Sequence, residues 1–334
     1  MLPTDTSIHP PIEALPTLPI LRARLTLRLL EPTTLPAYKG AMLRGGFGYA
    51  FQQATCPRPC WGATSACTTD SICPFRWVFE TPHPPNTAYL HDLRDVPRPF
   101  VIEPPLEPRT QYAAGDTLEF GLVLIGRGID YLPYFLFGFE QLGKMGLGRH
   151  NTRARLERVE ALAPWQPLGH VIYQDGRALA DVASLPLIDA ASLSARAATL
   201  PSDLRLVLHT PLRVKSRGDW LRRIDMPALV QAASWRLNAL ATFHGAGPWS
   251  VDHRALVEQA QAIRVEHEQV RWVDWERTST RGQQPQKMTL GGIVGSAVLR
   301  NVPPAVRIVL LAGSLVHIGK ACVFGHGRME LSHL

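Results

Sequence analysis

The feature that most constrains this chain is a loop that occurs twice. Residues 134–149 run YFLFGFEQLGKMGLGR and residues 311–328 run LAGSLVHIGKACVFGHGR. In both, an apolar helix-like segment enters Gly-Lys (Gly143-Lys144 and Gly319-Lys320). A Gly-x-Gly-Arg follows (Gly146, Gly148, Arg149 and Gly325, Gly327, Arg328), and then a strand-like stretch. Two copies in one chain indicate internal duplication, so two similar units in tandem are expected. Glycine lets the backbone turn sharply and lets a ligand approach the main chain. The flanking Lys and Arg supply charge for a phosphate. Taken singly, each loop reads equally well as a helix C-cap followed by a tight turn.

Hydropathy along the chain supports the duplication. Residues 1–18 are Pro- and Thr-rich and read as a poorly ordered tail. Residues 19–31 (PILRARLTLRLLE) alternate apolar and polar, a strand signal. Residues 37–54 are helix-like but carry Gly40, Gly45, Gly46 and Gly48, which implies close packing. Leu118–Ile125 reads as a strand and Tyr131–Leu142 as a helix. Residues 163–201 are looser, and the domain boundary is placed at their end. The plan then repeats: strand Asp203–Val214, amphipathic helix Ala228–Phe243, strand-like Val270–Arg277, Gly-rich strand Lys287–Leu299. A helix over Val306–Ile318 starts after Pro303-Pro304, and the tail is the last strand. The expected class is α+β: tandem ferredoxin-like (RRM-like) β-α-β-β-α-β domains over 19–200 and 201–334, each with a glycine-rich loop. A Cys-rich insertion (55–75) interrupts the first.

The chain of 334 residues carries a net charge of +7, and only five of its 35 basic residues are lysine. An Arg-rich basic surface favours phosphate and nucleic acid, although a GC-rich genome also writes Arg for Lys. No apolar run is long enough to span a membrane and no signal pattern opens the chain, so a cytoplasmic protein is expected. Cys56, Cys60, Cys67 and Cys73 follow the pattern C-x3-C-x6-C-x5-C. Four thiolates in one loop could close a structural zinc site, while the irregular spacing leaves free thiols open.

Three segments in order resemble one family: LVLHTPLRVKSRGDW (206–220), WERTSTRGQQPQKMTLGGIVGSAVL (275–299) and HIGKACVFGHGRMEL (317–331). They are similar to the CRISPR-associated endoribonucleases that process precursor CRISPR RNA, the sixth Cas protein family within the RAMP superfamily. The resemblance implies a tandem ferredoxin-like fold that binds CRISPR repeat RNA and cuts it without a metal. In that reaction the 2′-hydroxyl attacks the adjacent phosphate and leaves a 2′,3′-cyclic phosphate. It also implies other Cas proteins of an effector complex as partners. The rival expectation is a non-catalytic RAMP subunit that binds RNA on the same fold.

Such a cleavage needs a base, an acid and positive charge on the phosphate. Histidine suits the proton roles. His317 and Lys320, at the second loop, are the first candidates. His244, which ends the 228–243 helix, is the second, although a C-cap role fits both histidines. His326, between two glycines, ranks lower. Many members carry a histidine on or near the first helix; here Tyr38 and Lys39 stand there. Ser279 lies with Arg277 and Arg281 at alternate positions, one face if the segment is a strand. Arg213, Lys215 and Arg217 alternate likewise. Both ladders are assigned to RNA contact, with Lys144, Arg149, Gly325, Gly327 and Arg328 of the two loops. Trp272 and Trp275 read as core packing ahead of base stacking.

Overall fold

The computed structural model describes residues 15–57, 73–83, 90, 93, 95–279 and 286–334. Its first half is built on β1 (Ile20–Leu29), whose alternation decides the layers. Leu21, Ala23, Leu25, Leu27 and Leu29 are buried on one face. Arg22, Arg24 and Arg28 fall between them and pair with Glu103, Glu160 and Glu157 of neighbouring strands. Helix α1 (Gly40–Thr55) and short α2 (Pro74–Phe79) follow, then β2 (Phe100–Glu103), β3 (Thr117–Ile125), α3 (Leu132–Met145) and β4 (Ala154–Leu162). Two further strands, β5 (Gly169–Gln174) and β6 (Arg177–Ala178), extend the sheet. The order is β2-β3-β1-β4-β5-β6, every neighbour antiparallel. Helices α1 and α3 cover the leucine face. Phe47 of α1 stacks on Phe139 of α3 at 4.2 Å within a cluster that includes Phe51, Phe79, Phe100 and Phe135. A Cβ on Gly46 would lie 2.7 Å from Leu142, so the glycines of α1 do permit close helix packing.

The second half repeats the plan. After α4 (Ala190–Ala198) come β7 (Leu204–Leu212), α5 (Met226–His244), α6 (His253–Ala260) and β8 (Arg264–Val273). A hairpin of β9 (Glu276–Ser279) and β10 (Gln286–Thr289) leads to β11 (Gly292–Arg300), α7 (Pro304–Val316) and β12 (Met329–Ser332). The sheet order is β8-β11-β7-β12, again antiparallel. In both halves the four strands of the β-α-β-β-α-β unit stand in the order second, third, first, fourth. This is the tandem ferredoxin-like fold that the duplicated loop implies.

Several expectations differ in detail. Leu15 and Leu18, read as part of the tail, are buried against the second-half core, while residues 1–14 lie outside the described residues. The 163–201 stretch is not loose throughout. It holds β5, β6 and α4, and Leu193 and Ala197 of α4 join the second core. Strand β8 begins well before Val270, because Arg264–Gln269 is a charged edge segment without apolar alternation. The four-residue strand β2 had no signal of its own, yet it proves central to the seam between the halves. Val101 of β2 and Val123 and Ile125 of β3 are buried together with second-half residues, so the halves share a core.

Candidate functional site

The second glycine-rich loop leaves α7 at His317 and threads into the seam. The turn needs several residues at positive φ: His317 (59°), Gly319 (92°), Ala321 (62°), Gly325 (85°) and Gly327 (71°). A Cβ on Gly325 would fall 2.2 Å from Pro104, and one on Gly327 would fall 1.9 Å from the Ile318 carbonyl oxygen. These two positions therefore exclude side chains by space as well as by conformation. The Thr210 hydroxyl donates to the Gly325 carbonyl (2.7 Å) and accepts from the Arg328 amide (2.9 Å), tying the loop to β7. Across the seam the Tyr38 hydroxyl, at the start of α1, donates to the Phe324 carbonyl at 2.7 Å. Burial raises the Tyr38 phenol far above its usual range, so it remains a donor.

His317 is fully buried. Its Nδ1 lies 2.9 Å from the His326 carbonyl and its Nε2 lies 3.0 Å from Glu103 Oε1 at the end of β2. Glu103 is also approached by Arg22 (3.4 Å) and Arg328 (3.9 Å). Burial opposes ionisation of that carboxyl. The His317 hydrogen bond and the two guanidiniums outweigh it and hold the acid well below the usual carboxylate range. His244 ends α5 and meets the Pro97 carbonyl through Nε2 at 2.6 Å. Burial pushes this imidazole down to about 4, only partly offset by that hydrogen bond, so the ring is neutral and donates. The sequence offers His317 and His244, each at a helix end, either as C-caps or as groups facing a substrate. The structure places both inside the seam, because both helix ends pack against the first half. Lys39 is also turned inward, with Nζ on the Arg109 carbonyl at 2.7 Å.

The exposed and half-buried groups of the site are cationic and aromatic. Lys320 projects from the loop while its amide bonds the Arg213 carbonyl at 3.0 Å. The Arg213 guanidinium lies 3.9 Å from the centre of the Trp220 ring, and Lys215 Nζ lies 4.9 Å from the same ring. Arg222 covers Trp272 at 3.7 Å. Arg213, Lys215 and Arg217 thus do not form a strand ladder. β7 stops at Leu212, and a tight turn with positive φ at Arg217 (51°) and Gly218 (95°) pairs Lys215-Ser216 with Asp219-Trp220. Arg213 and Lys215 instead converge on one indole, and Arg217 sits at the turn tip. Trp272 packs on the core edge and Trp275 on Tyr38, Phe324 and His326.

Arg277 and Ser279 fall on β9 at register positions opposite Met288 and Gln286, and Arg281 lies outside the described residues. Lys144 and Arg149 are exposed on the corresponding first-half loop. Cys56 follows α1 and Cys73 precedes α2, both partly buried, while Cys60 and Cys67 lie outside the described residues. Among the described residues no group of three or more His, Cys, Asp or Glu could hold a metal, and no helix is long and apolar enough to cross a membrane. The sequence reading missed Glu103, Trp220 and Arg222. Glu103 ends a strand too short to announce itself. Trp220 and Arg222, beside a Gly turn and an Arg/Lys alternation, carried a signal that could have been read.

A family model described as CRISPR-associated endoribonuclease Cas6 matches residues 206–329, and the family model AF_1859_N, an N-terminal domain, matches residues 18–185. An uncharacterized protein of Archaeoglobus fulgidus is 26% identical over 232 residues, covering 67% of this chain and 70% of that protein. Among solved structures, a partial Cas6-RT-Cas1–Cas2 complex is 17% identical with a TM-score of 0.57. The match covers 96% of this chain but 47% of that one, so this chain spans about half its length. A Cas6 product complex is 16% identical with a TM-score of 0.54, covering 94% of this chain and all of that one. The two family matches lie end to end across both ferredoxin-like halves, and the Cas6 match contains the whole glycine-rich loop from His317 to Arg328. The second ferredoxin-like half of the chain, with its glycine-rich loop, matches the CRISPR-associated endoribonuclease Cas6 family, and the tandem fold is the one seen in the solved Cas6 product complex.

Proposed function

We propose that this chain binds CRISPR repeat RNA and cleaves precursor CRISPR RNA. The observation that carries the reading is the loop from Gly319 to Arg328, which lies within the Cas6 match and is fixed in the seam. It presents Lys320 beside the Arg213–Trp220–Lys215 cluster. Cleavage proceeds without a metal: the 2′-oxygen bonds to phosphorus, the bond to the 5′-oxygen breaks, and a 2′,3′-cyclic phosphate remains. Lys320 supplies positive charge to the phosphate oxygens. His317 acts through the loop, which it holds against Glu103. Other Cas proteins are the expected protein partners.

A second reading, RNA binding without cleavage, has two observations in its favour. The candidate histidines His317 and His244 have their rings buried and bonded, and Tyr38 and Lys39 open α1 where a histidine is common in the family. Incubating the full chain with its host's repeat RNA in EDTA separates the two. One cut per repeat, with a 3′ end that resists phosphatase until the cyclic ester is opened, supports cleavage. Tight binding without a cut supports the second reading.

A further inference from the structure

His326 is a buried histidine of the loop whose ring anchors nothing among the described residues. Its ring is fully enclosed, and neither Nδ1 nor Nε2 has a hydrogen-bond partner among the described residues. A buried polar group left unsatisfied costs about 1–3 kcal/mol, so two on one ring call for a reason. The backbone around it is tightly fixed: Gly325 and Gly327 have no room for side chains, and the His326 carbonyl accepts from His317. The cover over the ring is aromatic. Tyr38 meets it edge-on at 5.4 Å and Trp275 lies 4.5 Å away, ring centre to ring centre. Trp275 is half-buried and sits in the short link from β8 to the β9–β10 hairpin. Burial pushes the imidazole down to about 4, with the charges of His317 and Arg213 acting in the same direction, so the enclosed ring is neutral and has a free lone pair.

We infer that His326 is the proton-accepting residue of the ribonuclease site proposed above, sheathed in the free protein by Trp275 and uncovered when a substrate nucleobase takes the place of that indole. The assignment rests on the cleavage reading. Every base offers a flat face that can replace an indole face. With Trp275 displaced, the imidazole takes the proton of the 2′-hydroxyl as its oxygen bonds to phosphorus. The bond from phosphorus to the 5′-oxygen breaks, and that oxygen takes a proton from water. The imidazolium then returns its proton to solvent. The Lys320 ammonium remains to bind a phosphate oxygen, while the Tyr38 phenol stays on the Phe324 carbonyl.

The test is single-turnover cleavage of the host's repeat RNA by the full chain, with binding measured on the same RNA. His326→Phe keeps an aromatic ring against Tyr38 and Trp275 but removes the proton acceptor. It is expected to leave the dissociation constant unchanged and to slow cleavage by about a hundred- to ten-thousand-fold. His326→Ala is expected to slow cleavage similarly and to regain part of it when imidazole is added to the buffer, whereas His326→Phe, whose ring fills the space, is not. In the RNA-free protein, Trp275→Ala is expected to make His326 reactive toward diethyl pyrocarbonate while the wild type stays protected. If His326→Phe cuts at the wild-type rate, or if His326 stays unreactive in Trp275→Ala, the assignment is overturned with the ribonuclease reading intact. A wild type that binds but never cuts overturns that reading, and this assignment with it.

Discussion

Three histidines near one seam behave differently because of what their ring nitrogens face. Among the described residues, His317 faces two acceptors, His244 faces one, and His326 faces none. His317→Ala removes a partner from buried Glu103 and one anchor of the loop, and should destabilise the fold by about 1–3 kcal/mol. Lys320→Ala, at an exposed position, should leave the melting temperature unchanged while slowing cleavage. Thermal melts beside cleavage rates check the pair, and the opposite pattern would make His317 the catalytic group and Lys320 the structural one. His244 gives a pH signature. Its folded-state value, about 4 against an ordinary 6.5, is depressed by burial. The unfolded chain therefore binds the extra proton between those values. The stability due to His244 is complete above about pH 6.5 and is lost as pH falls toward 4. Denaturant titrations across that window should show wild type losing about 2 kcal/mol more than His244→Asn. The difference between the proteins is the readout, because His326 titrates in the same range. Equal slopes would mean that the α5 terminus opens before the ring is protonated.

At the scale of elements, the loop and its neighbours are shaped by turns. Gly327→Ala places a Cβ against the Ile318 carbonyl at a positive φ and should cost about 3 kcal/mol or more, with loss of RNA binding. Gly218→Ala has open space around it and should cost only about 1–2 kcal/mol, the conformational term alone. Chemical denaturation of the two variants separates steric from conformational strain. Arg213 and Lys215 share the Trp220 face, so Arg213→Glu with Lys215→Glu should weaken repeat-RNA binding and flatten its dependence on salt by about two phosphate contacts. An unchanged salt slope would remove this cluster from the RNA path. The segment between α1 and α2 carries the remaining expectation: Cys56, Cys60, Cys67 and Cys73 hold one structural zinc. Metal analysis of untagged protein should find one ion per chain, and well under one would assign these residues as free thiols.

At the scale of the whole molecule, the two halves are joined through buried contacts. Glu103 with His317, Pro97 with His244 and Tyr38 with Phe324 each link a first-half residue to a second-half one. The duplicated Gly-Lys loops and the alternation of Ile20–Leu29 were enough to read two ferredoxin-like units, because strand and helix periodicity is local and survives in sequence. The second-half loop was legible as a candidate site for the same reason: glycines at strained turns and flanking cations are local features. What each side chain faces was not. The β7 terminus and the Arg217-Gly218 turn convert an apparent ladder into a cluster on Trp220, and β2 is too short to show a period. Sequence by itself determined the repeated topology, the glycine-rich loop and the cationic character of its surroundings. Only the tertiary structure decided which histidines are bonded, neutral or unpartnered, since that depends on residues of the other half brought across the seam.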